Sequence, residues 1–272
     1  MSSEKKLKLI ARKLRQLILD VGTKNNGHIS TSLSCVEILV ALYFGGHLNF
    51  DKKKFKKKDR NTFVLSKGHA ETALYCCLYL KKFISKRNLY HSYNCGSFFL
   101  GNHVDHKVPG VELTTGSLGH GLSFSCGMAL ATKINKKKYN HFVLLGDAEC
   151  SEGSVWEAAL FASFHKLSNL IAIIDNNGIG SLDRTKNFTS VLDNFANKWN
   201  SFGWNVQVIN GNSSKEILLS IDKTKNSKKP NLIIANTVKG KGLSIMENDP
   251  TWHAKKLDNP EEIEFCKKEL GI

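Results

Sequence analysis

A chain of 272 residues with 41% hydrophobic residues, 23% charged residues and only four prolines can build one large core, which excludes the disordered and fibrous classes. It contains no run of about 18 apolar residues, and its first twenty residues lack the apolar centre of a signal peptide, so a cytoplasmic protein without a membrane partner is expected. The net charge of +15 comes largely from DKKKFKKKDR at 51–60 and the trio Lys136, Lys137 and Lys138; with almost no arginine or stacking aromatic and no nucleic-acid motif, these read as solvated loops, and no nucleic-acid partner is expected.

In chain order, apolar residues at three- and four-residue spacing predict a helix over 7–21, and the polar turn GTKNNGHIST ends it. Further helices are predicted over 34–43 and 71–83, the latter after the strand-like NTFVL. A glycine-rich loop, PGVELTTGSLG, leads into a helix that begins near His120. Strand and helix then alternate: strands over 141–145, 170–174, 204–209 and 232–236, helices over 154–166, 195–202 and 214–222. Continuous apolar strands alternating with helices predict an α/β fold, a doubly wound, mostly parallel sheet with helices on both faces. The whole chain, 1–272, reads as one domain, with a loop and short acidic helix at 239–272 as its C-terminal extension. Seven cysteines without a C-x-x-C pair read as reduced, structural thiols.

Two strands end abruptly in polar residues, Gly146-Asp147 and Asp175-Asn176-Asn177. Parallel strands of one β-α-β unit deliver Asp147 and Asn177 to the same carboxyl edge, where open α/β sheets bind ligands. One carboxylate and one carboxamide oxygen suit a hard cation, Mg²⁺ or Ca²⁺, with positions left for phosphate oxygens. Such residues also serve as turn and helix caps, and the pair alone leaves both roles open.

Their spacing resembles the thiamine-diphosphate binding motif, G-D-G followed some 25 to 30 residues later by N-N, with Ala148 in place of the last glycine. The motifs NNGHIST, LSKGHA, PGVELTTGSLGHG, NTVKGKG and TWHAKKL, in this order, resemble those of the N-terminal, cofactor-binding part of transketolase in its split form. The resemblance spans essentially the whole chain. It implies thiamine diphosphate and Mg²⁺ or Ca²⁺ as cofactors, with Asp147, Asn177 and the backbone carbonyl of Ile179 as metal ligands. It places His69, Gly146 and Ala148 by the diphosphate and thiazolium, and Gly116 and Leu118 by the aminopyrimidine. A glycine suits a backbone that a ligand approaches closely. His28, His103 and His253 match histidines that bind donor hydroxyls or shuttle protons, work suited to a side chain that titrates near neutral pH. Any lone histidine could equally be structural. Lys239 and Lys255 match positions that approach the cofactor or sugar phosphate, and Glu152 and Glu157 match acids at the subunit interface.

The activity implied is transfer of a two-carbon ketol unit from a ketose phosphate to an aldose, with the cofactor ring as electron sink. The family's glutamate that activates the cofactor lies in a pyrimidine-binding domain, which is not found in this sequence. A C-terminal transketolase subunit carrying that domain and glutamate is therefore an expected partner, in a heterotetramer of two copies of each chain. Departures from the family pattern are Ala148, His120 where glutamine is usual, and a loop at His103 without its proline. Two other readings stay open: the α subunit of a 2-oxo acid dehydrogenase, and a non-catalytic basic binding protein on the same fold.

Overall fold

The computed structural model describes residues 3–25, 27–48, 59–90, 103–181 and 183–272; Cys95 and nearly all of the lysine cluster at 51–60 lie outside them. Five strands, β1 (Thr62–Leu65), β2 (His141–Gly146), β3 (Leu170–Asn176), β4 (Asn205–Asn210) and β5 (Asn231–Asn236), form one sheet in the order β1-β2-β3-β5-β4. Every pairing is parallel. The apolar runs of β1, β2 and β3 are buried on both faces, whereas the edge strand β4, with Gln207 and two asparagines, is only half buried.

Ten helices, in chain order α1 (Ser3–Asn25), α2 (Ile29–Ser34), α3 (Val36–Phe44), α4 (Glu71–Leu80), α5 (Lys86–Tyr90), α6 (His120–Ile134), α7 (Gly153–Phe164), α8 (Phe195–Ser201), α9 (Ser214–Thr224) and α10 (Pro260–Leu270), are found among the described residues. They divide between two apolar clusters: α1–α5, α9 and α10 contribute to the one on one side of the sheet, and α6–α8 to the other. The doubly wound architecture expected from the sequence is the one observed. The C-terminal helix α10 is tied to α1, with Arg12 Nε and Gln16 Nε2 both donating to the Leu270 carbonyl at 3.1 and 3.0 Å.

The differences from the expected helices have local causes. The first helix begins earlier and ends later than 7–21, because its polar ends carry no apolar signal but form Lys8–Glu4 and Lys24–Asp20 pairs one turn apart, at 2.9 and 2.8 Å. In place of one helix over 34–43 there are two, α2 and α3, meeting at Cys35. The Ser- and Thr-rich run of α2 has no helical hydrophobic period, yet all six of its residues are buried. The helices expected to reach Phe83 and Lys166 stop at Leu80 and Phe164. Both are closed by a lysine in the left-handed region, Lys82 (φ 63°) and Lys166 (φ 48°). The following amide then reaches back to an earlier carbonyl, Phe83 to Leu78 at 2.9 Å and Leu167 to Ala162 at 3.0 Å. A lysine in this position sends no stop signal of the kind glycine does.

His141, at the start of β2, illustrates the structural role open to any lone histidine. Thr62 Oγ1 lies 2.8 Å from its Nδ1 and Thr132 Oγ1 2.8 Å from its Nε2, and burial pushes its pKa down to about 4.

Candidate active site

The carboxyl ends of β2 and β3 open into a cavity of about 470 Å³. In the register of these strands Gly146 stands beside Asp175, so Asp147 and Asn177 leave neighbouring strands at the same edge. Asp147, almost fully buried, is held by two backbone amides: Ala148 N donates to Oδ1 at 2.8 Å and Gly178 N to Oδ2 at 2.6 Å. Gly178 adopts φ +74°, which lets that loop turn its amide onto the carboxylate. Asn177 Oδ1 accepts from Ile179 N at 3.1 Å, and its Nδ2 donates to Asp175 at 3.2 Å. Burial, reinforced by Asp175, pushes the Asp147 carboxyl up to about 6.

Ala148 lies in a short 3₁₀ turn, 148–151, and is not among the residues with positive φ, so the alanine costs the turn no strain. Its methyl instead fills space near Gly180, where a Cβ would lie 3.2 Å from Ala148 Cβ and 2.5 Å from Phe188 Cζ.

These groups fit a hard cation. Asp147, Asn177 and Ile179 border one cavity, and each side-chain oxygen of the first two retains a lone pair beyond its backbone hydrogen bond. Among the described residues no cluster of three or more His, Cys, Asp or Glu side chains could hold a metal. A cation here would therefore depend on carboxamide, carbonyl and incoming phosphate oxygens.

Behind these residues lies a buried ionic network that the sequence did not announce. Lys67 pairs with Asp175, both essentially without solvent exposure. Asp175 also accepts from Ser34 Oγ and Thr237 Oγ1. Burial alone would raise the Asp175 pKa, but the Lys67 ammonium and the hydroxyls bring it below the usual carboxylate range. For Lys67, burial opposes the charge, and Asp175 more than restores it, raising the pKa. Lys239 is equally buried, with no carboxylate at salt-bridge distance among the described residues; its Nζ lies 3.1 Å from His253 Nδ1. Burial and the nearby Lys67 push Lys239 down to about 7.

His28, His69 and His253 form one cluster, with ring centroids 5.6 to 6.1 Å apart. Burial and the surrounding cations press His69 well below its ordinary pKa and His253 to about 3, so these two imidazoles are neutral near pH 7. His69, Lys239 and His253 border the same cavity as Gly116, Leu118, Gly146, Asp147, Ala148, Asn177 and Ile179. His103 is not in this group. It opens into an adjoining pocket of about 380 Å³ with His120 and Phe124, and Gly116 is the wall between the two. A Cβ on Gly116 would lie 2.6 Å from His103 Cβ, so glycine is required for this close approach.

Lys255 departs from the sequence expectation. Its Nζ sits 3.9 Å from the centre of the Trp252 ring and 3.8 Å from Glu262, and it does not line the cavity. Glu157 is exposed on α7, while Glu152 reaches the cavity rim at the start of that helix. Glu149 was not singled out from the sequence, yet it is buried in the cavity wall, where burial raises its pKa. An acid two residues beyond Asp147, inside a turn rather than a helix face, was the one available signal.

A parallel sheet whose cleft opens beyond the carboxyl ends of adjacent central strands places the molecule in the class of α/β ligand-binding domains. Its sequence narrows that class further: residues 6–272 match the family described as transketolase, thiamine diphosphate binding domain, and the chain belongs to that family. It is 40% identical to a subunit of the apulose-4-phosphate transketolase of Actinobacillus succinogenes over 269 residues, 98% of this chain and 95% of that one. It is 38% identical to the 6-deoxy-6-sulfo-D-fructose transketolase subunit SqwG of a Clostridium species, over 91% of this chain and 90% of the relative. Against human transketolase the identity is 36%, over 92% of this chain but 40% of the human protein. The transketolase structure from Campylobacter jejuni superposes with a TM-score of 0.90 at 30% identity, covering 98% of this chain and 43% of that one. In length and sequence the chain is thus a homologue of the N-terminal subunit of a split transketolase, an enzyme of the transferase class.

Proposed function

We propose that the cleft holds thiamine diphosphate through a divalent cation, Mg²⁺ or Ca²⁺, ligated by Asp147, Asn177 and the Ile179 carbonyl. With a companion subunit the chain then transfers a two-carbon ketol unit from an anionic ketose to an aldose. The observation that carries this reading is convergence: residues from motifs far apart in sequence, Lys67 to His253, line one cavity. The bound cofactor would supply the electron sink for breaking the carbon–carbon bond. This chain's own residues do the holding. Lys239 and Lys67 set positive charge behind the site for the diphosphate, and Gly116 and Leu118 offer a backbone edge and an apolar side chain to the aminopyrimidine. His69 and His253 line the cavity, with His28 packed against them but outside its lining; these imidazoles can donate to and accept from sugar hydroxyls, and His103 does the same from the far side of Gly116.

The companion is proposed to be a C-terminal transketolase subunit bringing the pyrimidine-binding domain and its glutamate, in an arrangement of two copies of each chain. The naming of the relatives as subunits supports it. So does an apolar surface on α6 and α7, where Phe124, Leu160, Phe161 and Phe164 are 40 to 81% exposed, more than isolated surface residues explain. Glu152, at the start of α7, and Glu157, within it, are exposed as well. A cytoplasmic setting is part of the proposal: the six described cysteines are all free and buried, and among the described residues no helix is long and apolar enough to cross a membrane.

The relatives act, by name, on a sugar phosphate and a sulfonated sugar, which supports an anionic donor here. The family match and the subunit relatives disfavour both the 2-oxo acid dehydrogenase and the non-catalytic readings. The test is to assay the chain, mixed with its companion subunit, for two-carbon transfer from ketose phosphates and for decarboxylation of 2-oxo acids. Ketose consumption with aldose extension is the expected result, and 2-oxo acid decarboxylation without ketol transfer would overturn the proposal.

A further inference from the structure

We propose that Glu149 is a positioning residue that fixes the width of the cofactor cleft by tying its two walls together. The proposal rests on the reading of the cleft as a thiamine-diphosphate site. One wall is the Gly146–Ala148 turn after β2, which carries Asp147. The other is the Gly116–Gly119 loop that leads into α6. Glu149 is 1% exposed and touches both: Oε2 accepts from Gly146 N at 2.9 Å, and Oε1 accepts from Gly119 N at 2.9 Å. Oε1 also accepts the hydroxyl proton of Ser66, in the loop after β1. Ser66 Oγ in turn accepts from Gly121 N, in the first turn of α6, at 3.1 Å. The direction of every proton is thereby fixed: Gly121 N–H donates to Ser66, whose O–H donates to the carboxylate, and the Gly119 and Gly146 amides donate to its two oxygens. Three loops converge on one carboxyl group whose hydrogen bonds go to Ser66, Gly119 and Gly146 rather than to Asp147 or Asn177.

The chemistry of this arrangement leaves no tolerated amide. In Glu149→Gln the NH₂ group must replace one oxygen. Placed at the Oε2 position it faces the Gly146 N–H, and placed at the Oε1 position it faces the Gly119 N–H. Either way two donors oppose each other in a buried site, and the walls separate or shift. Gly119 has little room for such movement, since it adopts φ +82° and a Cβ there would lie 2.7 Å from Glu152 Cβ.

A cleft-width role separates two ligands that a general loss of stability would not. Pyrophosphate needs only the Asp147–Asn177 end of the cleft, whereas thiamine diphosphate must also meet the Gly116–Leu118 wall. The test is calorimetric titration of Mg·thiamine diphosphate and of Mg·pyrophosphate into the full chain with its companion subunit, wild type against Glu149→Gln. Affinity for thiamine diphosphate should fall about tenfold more than affinity for pyrophosphate. Ser66→Ala, which removes one donor and leaves both amide contacts, should shift the ratio the same way by a smaller factor, and it serves as the probe if Glu149→Gln does not fold. Equal losses for the two ligands, or unchanged affinities, would overturn the positioning role while leaving the cofactor reading intact. A wild-type complex that binds pyrophosphate but not thiamine diphosphate would overturn the cofactor reading and this inference with it.

Discussion

Asp147→Ala should abolish metal-dependent retention of thiamine diphosphate, lowering affinity at least about 100-fold, because the loss of a direct ligand exceeds the roughly 10- to 100-fold cost of losing a residue that only supports one. Asp147 supplies the single anionic side chain in the proposed ligand set and also anchors the Ala148 and Gly178 amides. Asp147→Asn separates these duties, since the carboxamide can keep one amide contact but brings no charge to the cation. Asn177→Ala removes a neutral ligand and should cost less, about tenfold. The pH dependence has a definite sign. Burial raises the Asp147 carboxyl to about 6 in the free cleft, and only the ionised form binds a cation. Metal affinity should therefore fall as pH drops through about 6, with a proton released on binding below that pH. Calorimetry across about pH 5 to 8 reads both effects. Cofactor affinity unchanged in both alanine variants would remove the metal assignment.

Lys67→Ala should destabilise the fold by about 3–5 kcal/mol, the usual cost of breaking a buried ion pair by deleting one partner. Lys67 is 1% and Asp175 0% exposed, so without the ammonium the carboxylate must remain charged and desolvated or take up a proton. The remaining contacts from Ser34, Thr237 and Asn177 soften this cost but bring no positive charge. Lys239 is the other buried cation nearby, and it is already poised to lose its proton. The pair is thus a case in which stability and site electrostatics share one element: Lys67 closes the floor of the cleft and leaves Lys239 as the cation without a carboxylate partner among the described residues. A double-mutant cycle separates the two roles. Lys67→Met with Asp175→Asn should lose substantially less stability than the sum of the single variants, while diphosphate affinity stays low. Denaturant unfolding measures the first and pyrophosphate titration the second. A loss below about 1 kcal/mol for Lys67→Ala would show that the pair is not a structural keystone.

Much of the fold was legible because parallel strands buried on both faces write themselves as unbroken apolar runs, as in HFVLL and LIAII, and these became β2 and β3. Helix ends were less legible where Lys82 and Lys166 took left-handed conformations that sequence patterns assign to glycine. The α2 segment was hidden because ISTSLS buries hydroxyls rather than methyl groups on its polar positions. In the site, Asp147, Asn177, His69, Lys239 and His253 could be found from spacing and motif order, and the cavity brings them together. Lys67, Asp175 and Glu149 could not. Lysine and acidic residues are read as surface by default, and their roles here come from partners 83 and 108 positions away, Ser66 for Glu149 and Lys67 for Asp175. Lys255, whose place in TWHAKKL suggested a ligand contact, lies over Trp252 and outside the cavity lining. Ala148, which departs from the glycine of the motif, costs its own turn no strain because the 3₁₀ turn gives it a backbone any residue adopts.

Whether the cleft between β2 and β3 holds thiamine diphosphate by way of a divalent cation is tested most directly by calorimetric titration. Thiamine diphosphate is titrated into the chain assembled with its companion subunit, once with Mg²⁺ and once with a chelator. Saturable binding that requires Mg²⁺, with one cofactor per copy of this chain, is the predicted result; binding that persists unchanged in chelator, or no binding with Mg²⁺ present, would contradict it.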